Sequence, residues 1–297
     1  MAQSATKRPP LACEITAHSV LAAASAAGSV TGVAARTLPD GTLSPNMVNA
    51  NVQRPDVLRT AIQEALSAVD GGRHDVSVVL PDSVIRVMLL DFETLPERQQ
   101  EAAPLIRFRL KKLLPFDAEK AAVSYQMQRA AGAGVQVIAA VAQASVLEEY
   151  EAAVRDAGFQ PGVVLPSVLA ALGPVDGSVP TLVVKAEPAT TAVAIVDQNE
   201  LRLVRTIESV TPTAATPGRL AEDIYPSLVF FQDTYSAQVQ RIALGGTAAT
   251  DALHAALEQQ TGLRVEELLD SAMISAASVS SAPRTAFAGA VGALLMQ

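Results

Sequence analysis

Residues 11–38, LACEITAHSVLAAASAAGSVTGVAARTL, and residues 181–207, TLVVKAEPATTAVAIVDQNELRLVRTI, are two stretches built on one pattern. In the first, residues 11–16, 19–26 and 29–38 are short Ala/Val-rich runs parted by polar or glycine punctuation such as Gly28-Ser29, which predicts a meander of three strands. In the second, residues 181–185, 191–196 and 201–207 repeat the arrangement, with a turn at Asp197-Gln198-Asn199-Glu200. The segments downstream of the two meanders are also alike. Val57, Leu58, Ile62, Ala65, Leu66 and Val69 fall at helical spacing over 55–69, with Gly71-Gly72 closing the helix and a strand at 75–80 stopped by Pro81. After the second meander come a helix over 219–233, a short strand at 241–244, the pair Gly245-Gly246, and a helix through Gln260 that ends before Gly262.

Two copies of strand-strand-strand-helix-strand define a duplicated α/β fold of the ribonuclease-H/actin-like kind, in which two similar halves face each other across a cleft. Material between the copies is more than the repeat needs. A strand at 84–91, a helix at 96–113 in which Pro104 kinks or restarts the chain, and strands at 122–129 and 135–142 make an inserted small α/β subdomain. A helix at 145–157, a strand at 163–164 and a helix at 167–172 return to the first half before a linker at 173–180. The expected division is therefore 1–82 with 143–178 for the first actin-like subdomain, 83–142 for the insertion, and 179–297 for the second actin-like subdomain.

At 297 residues the chain is long enough for about two compact units. Its 49% apolar and 18% charged residues supply a sizeable core and lie outside the composition of disordered chains. The net charge of −8 opposes a polyphosphate backbone at long range, so no nucleic acid is expected as a partner. The lone Cys13 excludes an internal disulfide and any multi-cysteine metal site, and fits a reducing compartment such as the cytoplasm. Lys7 and Arg8 ahead of an Ala-rich run imitate a signal peptide, but Glu14 and His18 interrupt the apolar segment such a peptide requires. The longest apolar tail, 286–296, falls short of a bilayer's ~30 Å hydrocarbon layer.

Several short motifs lie in a familiar order: Val79-Leu80-Pro81-Asp82-Ser83-Val84-Ile85, Leu95-Pro96-Glu97, Leu113-Leu114-Pro115-Phe116-Asp117 and Tyr125. They continue through Glu149-Tyr150, Ala157-Gly158-Phe159-Gln160-Pro161, residues 167–172, 224–231 and 242–246, and the terminal 287–295. This series resembles the PilM family of actin-like type IV pilus assembly proteins, and the cytoplasmic actin-like domains of type II secretion proteins are related to it. The resemblance implies a cytoplasmic protein, peripheral to the inner membrane, that belongs to a pilus or secretion assembly platform. It also implies a groove between the first actin-like subdomain and the insertion that grips the short cytoplasmic tail of a bitopic membrane partner. ATP with Mg²⁺, where the family binds it, lies between the two actin-like halves.

An actin-type phosphate cradle needs two hairpin turns with approachable backbone N–H groups, glycines that permit the approach, and an acid to hold Mg²⁺. The first hairpin here reads Glu14-Ile15-Thr16-Ala17-His18-Ser19: the acid survives as Glu14, Thr16 stands at the glycine position, and Leu21 replaces a lysine. In the second, Lys185 stands at the aspartate position and Glu187 at the glycine position, followed by Pro188, which has no N–H. A carboxylate at Glu187 about 5 Å from a phosphate would cost on the order of 1 kcal/mol even at water's dielectric, partly offset by Lys185. Gly245-Gly246, ahead of a helix, could still present amides to an anion, or could simply supply a tight strand-to-helix turn. The nucleotide-site candidates are thus Glu14, Thr16, His18, Ser19, Lys185, Glu187, Gly245 and Gly246, in a degenerate cradle with no catalytic residue expected.

His18, His74 and His254 have no metal-ligand spacing, and no Gly-x-Ser-x-Gly elbow occurs. Arg107, Phe108, Arg109, Lys111 and Lys112 concentrate positive charge on one helix. They read either as a solvated face over a core stripe or as a site for acidic headgroups or an acidic partner. Two functional classes remain open on the sequence: a non-catalytic scaffold that binds a membrane partner's tail, and an ATP-binding or hydrolysing enzyme, ATPase or small-molecule kinase, of the same fold. For the scaffold no cofactor is expected; for the enzyme, ATP and Mg²⁺.

Overall fold

The computed structural model describes residues 8–130, 132, 134–209, 211–274 and 282–296. The chain opens with β1 (Leu11–Ile15), β2 (Ser19–Ala26) and β3 (Ser29–Thr37), followed by α1 (Pro55–Ser67) and β4 (Asp75–Leu80). The insertion contributes β5 (Arg86–Phe92), α2 (Gln99–Leu110), β6 (Ala121–Arg129) and β7 (Val135–Gln143). Then α3 (Ala144–Asp156), β8 (Gln160–Pro166) and α4 (Ser167–Ala170) lead to the second meander, β9 (Thr181–Ala186), β10 (Thr190–Asp197) and β11 (Glu200–Glu208). The chain finishes with α5 (Pro217–Tyr235), β12 (Arg241–Gly245), α6 (Asp251–Thr261), β13 (Arg264–Glu267) and α7 (Ala288–Leu295).

The two large sheets have the same topology. One is ordered β3-β2-β1-β4-β8 and the other β11-β10-β9-β12-β13, each an antiparallel meander extended by two parallel strands. Even the second hairpin turn is duplicated. Ala27-Gly28 and Gln198-Asn199 both hold two successive residues at positive φ, 50° and 82° in one, 53° and 60° in the other, which suits the right-handed twist of the joined strands. The insertion forms a separate antiparallel sheet, β5-β7-β6, with Ala102, Ile106 and Leu110 of α2 packed on one face. Its other face, through Val87, Leu89 and Ile138, meets Val183, Ala192 and Ala194 of the second half.

Alternation along β1 and β9 decides what faces the cleft. Leu11, Cys13 and Ile15 point into the core under α1 and α3, whereas Ala12 and Glu14 point the other way, toward α7. In β9, Leu182, Val184 and Ala186 join the core with α5 and α6, which turns Val183 and Lys185 toward the first half. Each strand therefore carries a single charged residue on the side that meets the other half, and both are 1% exposed.

Three expectations need correction. The insertion helix begins at Gln99 rather than Pro96 and ends at Leu110, and Pro104 lies inside it without interrupting it. The carbonyl that Pro104 leaves without its helical partner belongs to Gln100, in the exposed first turn where water can serve it. The short β13, parallel to β12, was not expected because Val265 alone supplies an apolar signal among Arg264, Glu266 and Glu267. Finally, the chain's end does not stay with the second half. Phe287, Ala290 and Val291 pack on Ala12, Leu21 and Ala23 of the first sheet, so α7 crosses back to cover it.

Candidate functional site

A cleft of about 930 Å³ opens where both first hairpins, the β4–β5 junction and β11 converge. Its lining includes Glu14, Thr16, His18, Asp82, Lys185 and Glu187, so side chains from three distant parts of the sequence meet in one place. On its floor the Lys185 ammonium Nζ lies 2.7 Å from Glu14 Oε1 and 2.7 Å from Glu187 Oε1. Lys185 and Glu14 are each 1% exposed, so this ionic link between the halves is shielded from water. Burial opposes the charged amine, but Glu14 and Glu187 outweigh it and hold Lys185 protonated above its ordinary value.

The carboxylates are saturated by other donors as well. Ser167 Oγ donates to Glu14 Oε1 at 2.8 Å and the Ala290 amide to Glu14 Oε2 at 3.2 Å. A Cβ on Gly289 would run into the Glu14 carboxyl, so glycine there is what admits the acid beneath α7. Glu187 accepts from the Thr247 hydroxyl and, at 3.4 Å, from the Thr247 amide. Asp82, half-buried beside this set, accepts from the Val168 amide at 3.0 Å. Its carboxyl is pushed up to about 7, chiefly by desolvation and against the pull of that amide and of Lys185. The neighbouring Cys13 thiol is pushed up to about 12 by burial and then by Glu14, which leaves it an unreactive core group.

Both hairpins consume their own donors. In the first, Thr16 Oγ1 accepts from the amides of His18 at 3.3 Å and Ser19 at 2.9 Å and exchanges a 2.9 Å hydrogen bond with Ser19 Oγ. In the second, the Glu187 amide donates to Thr190 O at 2.9 Å and Pro188 has none to offer. His18 turns outward, half exposed, with Nδ1 3.8 Å from Asp40.

Gly245 and Gly246 do not line the cleft. Gly246 has φ +105° and lies so near the Ala186 carbonyl that a Cβ would overlap it, and its amide donates to Thr285 O at 2.8 Å. The next amides are spent on Glu187, Ala186 O and Gly246 O, and α6 starts only at Asp251, capped by Thr250. The glycine pair is thus a packing requirement of a strand-to-helix turn, and the anion at that turn is the protein's own Glu187. Arg107 likewise departs from its expected role: it donates to Ala118 O at 3.2 Å and Ala121 O at 3.1 Å, tying α2 to the start of β6. Phe108 is 72% exposed, and Arg109, Lys111 and Lys112 are exposed around it, away from the cleft.

Does the cleft suit Mg²⁺ and a polyphosphate? Its volume does, but its chemistry does not. An ammonium already neutralises the acids, a carboxylate takes the amide and hydroxyl that could meet phosphate, and the hairpin amides of Thr16, His18, Ser19 and Glu187 are satisfied internally. Among the described residues no group of three or more His, Cys, Asp or Glu side chains is arranged to hold a metal ion. The sequence carried a usable signal for this pairing. Each of the strands LACEI and TLVVKA bears one lone charge, of opposite sign, at nearly equivalent positions in the duplicated fold.

The architecture is a duplicated, actin-like α/β fold with an inserted subdomain. No protein-family profile matches the chain, and no curated protein sequence matches it. Its structure is similar to a chain of the PilM-PilN type IV pilus biogenesis complex, with a TM-score of 0.78 at 19% identity and 98% of both chains covered. The fold is in that sense PilM-like. It is also similar to the ethanolamine utilization protein EutJ from Carboxydothermus hydrogenoformans (TM-score 0.56, 9% identity, 98% of this chain and 92% of that one). A third likeness is to the cytoplasmic domain of EpsL, an inner membrane component of the type II secretion system of Vibrio cholerae (0.51, 12%, 96% and 92%). No helix among the described residues is long and apolar enough to cross a membrane.

Proposed function

We propose that this protein is a non-catalytic, actin-like scaffold of a type IV pilus or type II secretion inner-membrane assembly platform, and that it holds the short cytoplasmic tail of a bitopic membrane protein. The observation that carries the non-catalytic part is the Glu14–Lys185–Glu187 set, which fills the junction of the two hairpins with the protein's own cation and anions. The platform and partner are supported by the PilM-PilN and EpsL likenesses together with the ordered motifs of the sequence. The tail has a place to go. The cleft is walled on one side by Pro45, Asn46 and Met47 of the first half and on another by Arg86, Val87 and Pro115 of the insertion. Cytoplasmic flanks of membrane proteins carry an excess of Lys and Arg, so a net charge of −8 steers such a tail toward this chain.

Calorimetry tests both halves of the proposal. Synthetic tails of the bitopic membrane proteins encoded beside this one are titrated into the full chain, and ATP with Mg²⁺ is titrated separately. One tail is expected to bind in the micromolar range or tighter while ATP gives no heat. Binding of ATP with phosphate release that Glu14→Gln abolishes would establish the enzyme reading instead, and indifference to every tail would remove the partner.

A further inference from the structure

Among the described residues three charged side chains are less than a tenth exposed: Glu14, Lys185 and Arg202. Glu14 and Lys185 neutralise each other, whereas Arg202, 8% exposed, forms no ion pair among the described residues. Its guanidinium makes one hydrogen bond there, a long one of 3.4 Å from Nη1 to Arg129 O, and its buried Nε has no partner. A buried charge without a counter-ion is costly, and an unsatisfied buried donor adds to the cost. The position is also singular in the fold. Strand β11 pairs Leu203 with Ile195 and Leu201 with Val196, so Arg202 is the extra residue of a β-bulge. The matching bulge of the first sheet falls at Thr31 of β3, whose hydroxyl bonds back to Ala24 O at 3.3 Å. Duplication thus accounts for the bulge and not for the arginine.

Arg202 lines a second cleft, of about 840 Å³, between β5 of the insertion and β11 and α5 of the second half. That volume is in the range of small-molecule sites. Its walls are mainly apolar, with Val87, Leu90 and Phe92 on the insertion side and Leu203, Pro226 and Phe230 on the other. The Arg202 guanidinium lies 5.4 Å from the centre of the Tyr235 ring, which backs it. Arg205, also on the wall, donates to Ser227 Oγ at 3.3 Å and so keeps its charge unpaired. The one acid of the lining, Asp91, accepts from Gln136 Nε2 at 2.8 Å and pairs with neither arginine, which leaves cations in excess. We infer that this cleft binds a carboxylate or phosphate carried on an apolar body, with the oxyanion on Arg202 and the body along the apolar walls. The ligand supplies the counter-charge that the chain withholds. Val87, Val204 and Arg205 line both clefts and divide them, so this site is separate from the one proposed for the tail.

Calorimetric titration of the full chain with octanoate, octyl phosphate and octanol tests the site. Both anions are expected to bind at sub-millimolar concentration and at least about tenfold more tightly than octanol, as a charge-assisted hydrogen bond implies. Inorganic phosphate, which has the charge without the body, is expected to bind at least about tenfold more weakly than octyl phosphate. Arg202→Met should cost each anion at least about tenfold in affinity and leave octanol unchanged. Because it removes an unpaired buried charge, the same variant should melt no lower than the native chain, which a merely structural arginine would not allow. Flotation with phosphatidylglycerol vesicles against phosphatidylcholine vesicles identifies the source of the ligand. Capture by the former alone, weakened in Arg202→Met, assigns a membrane lipid, and anion binding without capture assigns a soluble acid. Octanol bound as tightly as octanoate, anions that bind Arg202→Met as they bind the native chain, no heat from either anion, or Arg202→Met melting below native would each overturn the inference.

Discussion

Replacing Lys185 with methionine keeps most of the side-chain volume and removes the ammonium. Glu14, 1% exposed, and Glu187, 19% exposed, would then face each other across the cleft floor with no cation between them. Removing one member of a buried, hydrogen-bonded charge set costs about 3–5 kcal/mol, because the charges left behind have no counterion. At roughly 2.1 cal/mol/K of unfolding entropy per residue, a chain of this length carries about 0.6 kcal/mol/K, so Tm falls by roughly 5–8 °C. Circular-dichroism melts of native and Lys185→Met protein read the difference. A third chain completes the test: Glu14→Gln, Lys185→Met and Glu187→Gln together leave neutral acceptors for Ser167, Ala290 and Thr247, and should return to within about 2 kcal/mol of native. If Lys185→Met melts with the native protein, or the triple variant is no more stable than the single one, the ion set is not what closes the cleft floor.

Asp82 gives a pH signature of its own. Its folded value of about 7 lies above the ordinary 3.8, so its contribution is fully present below the unfolded value and is lost as pH rises through 7. Native Tm should therefore decline between those limits, by up to about 4 kcal/mol of stability, and Asp82→Asn, which keeps an acceptor for the Val168 amide, should flatten the decline. Gly246→Ala forces a side chain onto the Ala186 carbonyl at φ +105°, and soluble yield or Tm should drop sharply, by more than about 3 kcal/mol equivalent. Phe108→Ser, at a position 72% exposed, should leave Tm within about 0.5 kcal/mol equivalent of native.

The duplication was legible because hydrophobic periodicity reports strands and helices directly. Residues 19–26 and 75–80 coincide with β2 and β4, and most other ends fall within a few residues. The features that escaped are long-range. Nothing in the string ALGGTAATD tells a packing glycine from a ligand-binding one; the difference lies in the Ala186 carbonyl, 60 residues upstream. Nor could charge clustering reveal that Arg107 bonds the carbonyls of Ala118 and Ala121 while its neighbours stay exposed. Lys185 looked like a partial offset to Glu187 because the two are close in sequence. Its equal bond to Glu14 depends on two sheets closing on each other, which the lone opposite charges of β1 and β9 hint at but do not locate.

A buried ion set adds little net stability over well-packed apolar residues, so its use at this junction needs another reason. The halves are already joined by an apolar layer in which Val168 of α4 and Ala171 just after it meet Val183 and Ala194 of the second sheet and Ala288 of α7. Apolar contact alone is non-directional and would permit a range of angles between the sheets. Lys185, by contrast, must satisfy an acid from each half at 2.7 Å, and Glu14 must satisfy the amide of the helix that crosses between them. That combination is met at one relative orientation. In a hinged nucleotide machine the corresponding bonds would be made through a ligand, and the angle would change as the ligand is altered. Here both ends of the linkage belong to the chain, and a groove held at one angle by the chain's own residues is what the proposed docking scaffold would need in order to hold one tail in one register.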